Sequence, residues 1–275
     1  MLIRYGFDIE LALVQPTTVV TLMDVHPSRQ GDVIGESGLE CSQSVPIEKF
    51  IDSYGNQSRR LTADAGTLAL RLGGVLRDSG RPDETDLSAK ATPLAEIPAD
   101  ALPFLMASRY CETDLLSSFA WSQFGGIPEG WARVQAICDY VHGRLRFSYP
   151  DARETRTAAQ AMEERIGVCR DFAHLAIALC RCMNIPARFC NGYLGDIGVP
   201  PDPAPMDFNA WFEAYLGGRW YTFDARHNQP RIGRILISRG RDAADVAMIT
   251  SFGPHRLSRF TIITEELRQR ARNAA

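Results

Sequence analysis

From Leu2 the chain passes through short runs rich in apolar and β-branched residues, first Leu2–Val14 and Thr17–Met23, then stretches near Pro46–Asp52, Ser58–Ala63 and Thr67–Leu72. Gln15-Pro16 and Tyr54-Gly55-Asn56 break them. Runs of this kind between turn residues predict strands, and their close spacing predicts a sandwich-like β module over residues 1–76. Residues 77–107 include the polar, Pro-containing stretch Ser79-Gly80-Arg81-Pro82-Asp83 and are expected to be a linker. From Ser108 the apolar period becomes helical. Asp114 is placed to cap a helix through Phe124, and Pro128 to open one carrying Val134, Ile137, Cys138, Val141 and Leu145. Thr157 is placed to cap a third, Ala158 to Arg165.

The next helix carries Phe172, Leu175, Ala176, Leu179 and Met183 at helical spacing, and Pro186 stops it. Its first turn holds Cys169, in Gly167-Val168-Cys169-Arg170-Asp171. Backbone N–H groups are unpaired there and the helix dipole favours an anion, so the position favours a thiolate nucleophile. Ala187 to Leu194 reads as a strand. Phe208–Leu216 and Arg219–Asp224 follow as strand-like runs joined by Gly217-Gly218, a strong hairpin signal. A two-residue loop sets Leu216 opposite Arg219, which brings Asn209 and Asp224 to one sheet face as diagonal neighbours, ~7–8 Å apart. A thiol at a helix start beside two polar residues on one sheet face is the layout of a Cys–His–Asp triad.

Composition narrows the class. The net charge is −3 with 23% charged residues, which gives no footprint for nucleic acid or an anionic membrane. The N-terminal residues carry Arg4, Asp8 and Glu10 and no apolar signal core, and no apolar run approaches a membrane span. Seven cysteines, an odd number spread over positions 41 to 190, read as reduced thiols in the cytoplasm. Cys180 and Cys182, with Cys169 and Cys190 nearby, lack zinc-ligand pairing, so no metal and no cofactor is expected.

The chain resembles the bacterial transglutaminase-like superfamily, whose members are described as cysteine proteases. The resemblance lies in Gly167–Leu175, Ile185-Pro186-Ala187-Arg188, Asn209–Tyr215 and Trp220–Asp224. Ser108–Asp114, Ala225-Arg226-His227-Asn228 and Gly240–Val246 support it. It implies an α+β protein, with an N-terminal β-sandwich-like domain and a C-terminal papain-like, transglutaminase-like domain (108–275) of helices packed on an antiparallel sheet. It implies acyl transfer through a thioester on Cys169, with hydrolysis of a peptide or amide bond favoured over amide formation. Cys169 is then the nucleophile and Asp224 the carboxylate that orients the base.

The base itself is the histidine of a His-Ala-Trp motif, and here that position is Asn209. Asparagine cannot take a proton near neutral pH. The departure reads as an inactivating His→Asn replacement; a catalytically dead binding module and a rewired triad are the alternatives. The expected contact is a hydrogen bond between Asn209 and Asp224, direct or through one water. Tyr149 is an oxyanion-donor candidate, and Trp211 and Trp220 are expected as cleft wall or core. His227 is expected to be structural or substrate-lining. His174, five residues after Cys169, points away from the thiol.

Overall fold

The alternation in the first strand shows why the N-terminal region is β. Ile3, Tyr5, Phe7, Ile9, Leu11 and Leu13 are all buried on one side of a strand that runs Leu2–Leu13, the period of two that half-buried sheets require. In the computed structural model, which describes residues 1–267, this is β1. It is followed by β2 (Thr17–Thr21), β3 (Val33–Glu36), β4 (Glu40–Cys41), β5 (Glu48–Ile51), β6 (Gln57–Ala63) and β7 (Gly66–Arg77). The second half opens with α1 (Thr113–Phe124), α2 (Trp131–Arg144), β8 (Arg146–Phe147), α3 (Ala158–Glu164), β9 (Ile166–Gly167) and α4 (Cys169–Cys182). It continues with β10 (Ala187–Tyr193), β11 (Asn209–Leu216), β12 (Arg219–Phe223), β13 (Ile235–Gly240), β14 (Ile249–Ser251) and β15 (His255–Glu266). The molecule is α+β, as expected.

Two antiparallel sheets, β15-β1-β7-β3 with β4 on β7, and β14-β2-β6-β5, share one apolar core. That core differs from the expected module in one respect. β15 pairs with β1 along its length and β14 pairs with β2, so the strands of residues 1–76 are completed by residues 249–266. The boundary at 76 therefore separates stretches of sequence and not sets of paired strands. The last eight residues of the 108–275 region lie outside the described residues.

Nor is the expected linker a free tether. Tyr221 donates its hydroxyl to Asp86, the Trp131 N–H bonds Ala89 O, the Gly217 N–H bonds Lys90 O, and Ala91 bridges Leu216. Gly130, at φ 93°, brings its backbone so close to this strap that an added Cβ would sit 2.3 Å from Ala89 O. That residue, and not Pro128, immediately precedes α2.

The third sheet is antiparallel, in the order β12-β11-β10-β13. The β11–β12 hairpin has the expected register, Leu216 opposite Arg219 and Phe212 opposite Phe223. Ala210, Phe212, Ala214 and Leu216 lie in one core with the buried residues of α4. α4 is buried almost all round, Asp171, His174 and Arg181 included, because α1, α2, α3 and this sheet surround it. Its N-terminus, and so Cys169, is thereby set against the start of β11.

Candidate active site

The approach to Cys169 is built by local rules. Thr157 caps α3 with a reciprocal Gln160 capping box, and the chain leaves α3 through Arg165 at φ 58°. A two-residue parallel bridge between β8 and β9 delivers Gly167 to the start of α4. Asp171, its side chain fully buried, turns back so that one carboxylate oxygen accepts from the Val168 N–H at 2.9 Å and from Arg156 at 3.2 Å. Burial pushes this carboxyl upward against the opposing pull of that N–H and of Arg170 and Arg156. Gly167 makes room for it, since a Cβ there would lie 2.6 Å from Asp171 Cβ. Gly167→Ala is expected to destabilise the protein by about 1–3 kcal/mol through overpacking and to slow labelling of Cys169. Urea unfolding and iodoacetamide labelling of the same samples check both.

Cys169 is 8% exposed. Burial pushes its thiol up to about 11, opposed by the positive charge of Arg226 and by the backbone N–H groups of Ala210 and Arg170. Burial takes Cys182 to about 11 as well. The helix start therefore does not by itself make Cys169 the most acidic thiol, because desolvation outweighs it. What distinguishes Cys169 is its company: the Ala210 N–H places it beside residue 209, and Arg226 and Asp207 lie within electrostatic reach.

Asn209 and Asp224 are not hydrogen-bonded to each other directly. Asn209 Oδ1 accepts from Arg226 Nη1 at 3.0 Å, while its amide donates to the carbonyls of Leu194 and Asp207. Asp224 is instead taken by the turn that follows it. β12 ends at Phe223 and the chain coils at once, with the Asn228 N–H on Asp224 O at 2.7 Å. Asp224 Oδ1 accepts from the N–H groups of Arg226 and His227. Its Oδ2 lies 2.8 Å from His227 Nδ1 and 2.8 Å from Arg234 Nη2. Burial alone would raise this carboxyl, but the Arg234 charge and the His227 bonds outweigh it and hold it well below the usual carboxylate range. The ring that Asp224 orients is His227.

The turn is anchored from α2. His142 Nδ1 lies 2.9 Å from the Arg226 carbonyl, and Asn228 bonds both Gln135 and Asp139. Asn228 itself is at φ 49°, a conformation asparagine tolerates better than most residues. His227, a quarter or less exposed along its side chain, thus has one ring nitrogen fixed on a carboxylate and, among the described residues, no hydrogen-bond partner on the other.

A recess of about 70 Å³ gathers Tyr149, Leu194, Asp207, Asn209, Arg226 and His227, with room for a few waters. Burial, followed by the charges of Asp207 and Cys169, pushes the Tyr149 phenol up to about 12. Burial likewise raises the Asp207 carboxyl. The Arg226 guanidinium lies 3.8 Å over the Phe147 ring. Asp207 and Arg226 are site residues that the pattern of the sequence did not single out, although each lies within two residues of a candidate.

Trp211 lies elsewhere, buried with Cys190 and Leu236 and with Arg234 over its ring. Trp220 carries the Arg188 guanidinium 4.0 Å over its ring, and Phe104 edge-on. His174 is fully buried, stacked on Tyr110 and accepting from the Ala243 N–H. A larger recess of about 470 Å³ lies behind Asp224, lined by Trp131, Gln135, Phe223 and Asn228, and reaches neither Cys169 nor Asn209. Among the described residues no group of three or more His, Cys, Asp or Glu is placed to hold a metal ion, and no helix is long and apolar enough to cross a membrane.

Three similarities bear on this site. The model of the Transglutaminase-like superfamily matches residues 119–225, from within α1 to just past Asp224. The crystal structure of a "Putative Cysteine Protease" from Cytophaga hutchinsonii is 31% identical, with a TM-score of 0.84 over 98% of this chain and 92% of that one. An uncharacterized protein of Mycobacterium leprae is 36% identical over 120 residues, 42% of this chain and 39% of that protein. The chain thus matches only about two fifths of the length of that curated relative.

Proposed function

Because the chain belongs to the transglutaminase-like superfamily, we propose that it performs cysteine-dependent acyl transfer through a thioester on Cys169, with hydrolysis of a peptide or amide bond as the favoured outcome. The observation that carries this reading is the seat of Cys169. The thiol opens the helix packed on β11, next to position 209, where the neighbouring Ala210 N–H favours its thiolate. In the reaction the Cys169 thiol gives up its proton, sulfur bonds the acyl carbon, and the amine leaves with a proton. Water then attacks the thioester, releasing a carboxylic acid and restoring the thiol.

Donors for the developing oxyanion come from backbone N–H groups at the start of α4, with Tyr149, which lines the recess beside Asn209, as a further donor. Position 209 supplies no base. Its amide cannot take a proton, and its oxygen is occupied by Arg226. Through the inherited arrangement alone this form is inactive.

p-Nitrophenyl acetate, with peptide mass spectrometry, tests the reading. Acetyl transfer to Cys169 is expected in the wild type and absent in Cys169→Ala. Release of acetate marks the hydrolase, and transfer to added glycinamide marks the amide-forming acyltransferase. No acetyl on Cys169 under any condition would leave a binding module and sink the proposal.

A further inference from the structure

We infer that His227, held by Asp224, is the group that moves the Cys169 proton in this chain, taking the role that position 209 does not fill. The inference rests on the proposed acyl transfer at Cys169 and names the base that drives it. Asp224 is the carboxylate the superfamily resemblance assigns to orienting the base, and the imidazole bound to it is His227, at 2.8 Å through Nδ1. A carboxylate on Nδ1 keeps the proton on that nitrogen and leaves the Nε2 lone pair free. The other four histidines are differently engaged. His174 accepts a backbone N–H inside the core, His142 bonds the Arg226 carbonyl, His26 caps a short helix, and His255 bonds Ser251.

The environment joins His227 to the thiol. Arg226, Asp207 and Tyr149 line the recess with His227, and all three interact with Cys169 through charge. The recess meets the thiol at position 209, since Asn209 lines it beside His227 and the N–H of the next residue, Ala210, acts on the Cys169 sulfur. The ring does not wander, because its turn is pinned by His142 and by the Asn228 contacts with Gln135 and Asp139. In the reaction His227 Nε2 takes the Sγ proton as the sulfur–carbon bond forms. It returns that proton to the amine nitrogen as the carbon–nitrogen bond breaks. For the second half it takes a proton from the attacking water and passes it to the departing Cys169 sulfur.

The test uses the full chain with p-nitrophenyl acetate for turnover and iodoacetamide for the pH dependence of Cys169 alkylation. His227→Gln is expected to lower turnover by at least about 100-fold and to remove an acid limb from the alkylation profile. The charged or titratable groups facing the ring and its recess are Asp224, Arg234, Arg226, Asp207, Asp196, Asp202, Tyr149 and Arg231, and these remain in the variant. Free imidazole is expected to restore turnover to His227→Ala, a rescue that a merely structural histidine does not give. His255→Gln, outside the recess, is expected to match the wild type. A His227→Gln protein that acetylates Cys169 at the wild-type rate, with the acid limb intact, overturns the inference while leaving acyl transfer standing. A wild type that never acetylates Cys169 overturns both.

Discussion

Replacing Asn209 by His is expected to restore the inherited route only when His227 is removed from the same molecule. One carboxylate serves two candidate imidazoles. In the wild type Asp224 Oδ2 is already shared by His227 Nδ1 and Arg234 Nη2, and Oδ1 is filled by two backbone N–H groups. A new ring at position 209 finds no free oxygen and also takes away the acceptor of Arg226. Asn209→His alone is therefore expected to leave p-nitrophenyl acetate turnover within about tenfold of wild type, which is ~1.4 kcal/mol in the barrier. His227→Gln alone loses ~10²–10⁴-fold, the usual worth of a positioned base. Asn209→His with His227→Gln frees one acceptor position on Asp224 Oδ2, beside Arg234, for the new ring and is expected to recover most of that loss. The two sites are thus strongly non-additive. A single Asn209→His variant that gains several orders of magnitude with His227 in place would show that Asp224 is not the limiting partner.

Asp224→Ala is expected to cost about 3–5 kcal/mol of folding stability, because it takes one of two carboxylates from a buried guanidinium. Arg234 is 7% exposed, and its remaining carboxylate partner is Asp83. The N–H groups of Arg226 and His227 lose their acceptor in the same step, and Asp224→Asn, which keeps an acceptor oxygen, is expected to lose less. The pH dependence has a definite sign. A carboxyl held below its ordinary value contributes stability that is fully present above ~3.9 and is lost as pH falls through the native value. Asp224 is such a carboxyl. The wild-type advantage over Asp224→Ala should therefore be constant near neutrality and shrink only as the pH falls below about 4. Urea titrations at pH 7 and in the acid range measure it. A difference under 1 kcal/mol at pH 7, well short of the ~3–5 expected, would mean that Arg234 finds other partners at little cost.

Much of the architecture is local and was therefore legible along the chain. The period of two in β1, the capping box at Thr157 and the apolar face of α4 each act over a few residues and read directly from the sequence. The β11–β12 register follows from Gly217-Gly218, both at positive φ, because loop length sets which residues pair. The place of Cys169 at a helix start is determined in the same way.

What tertiary structure decided depends on groups far apart in sequence. Nothing near Leu2 announces that β1 pairs with β15, more than two hundred residues later, and β15 carries few buried residues to mark it. The segment from Asp83 to Ala91 is polar and reads as a tether, yet its partners on α2, on the hairpin and at Arg231 and Arg234 hold it down. The thiol lost its expected acidity for a related reason, since burial by the whole core outweighs a helix end. The partner of Asp224 is the sharpest case. The register put it on the face of Asn209, but a carboxylate just past a strand end bonds whatever turn the chain makes next. That turn is set by His142, Gln135 and Asp139 on a helix 84 to 93 residues earlier. Hydrogen bonds to the nearest donors win over a diagonal contact across the sheet, so Asp224 holds His227 and Arg226 holds Asn209.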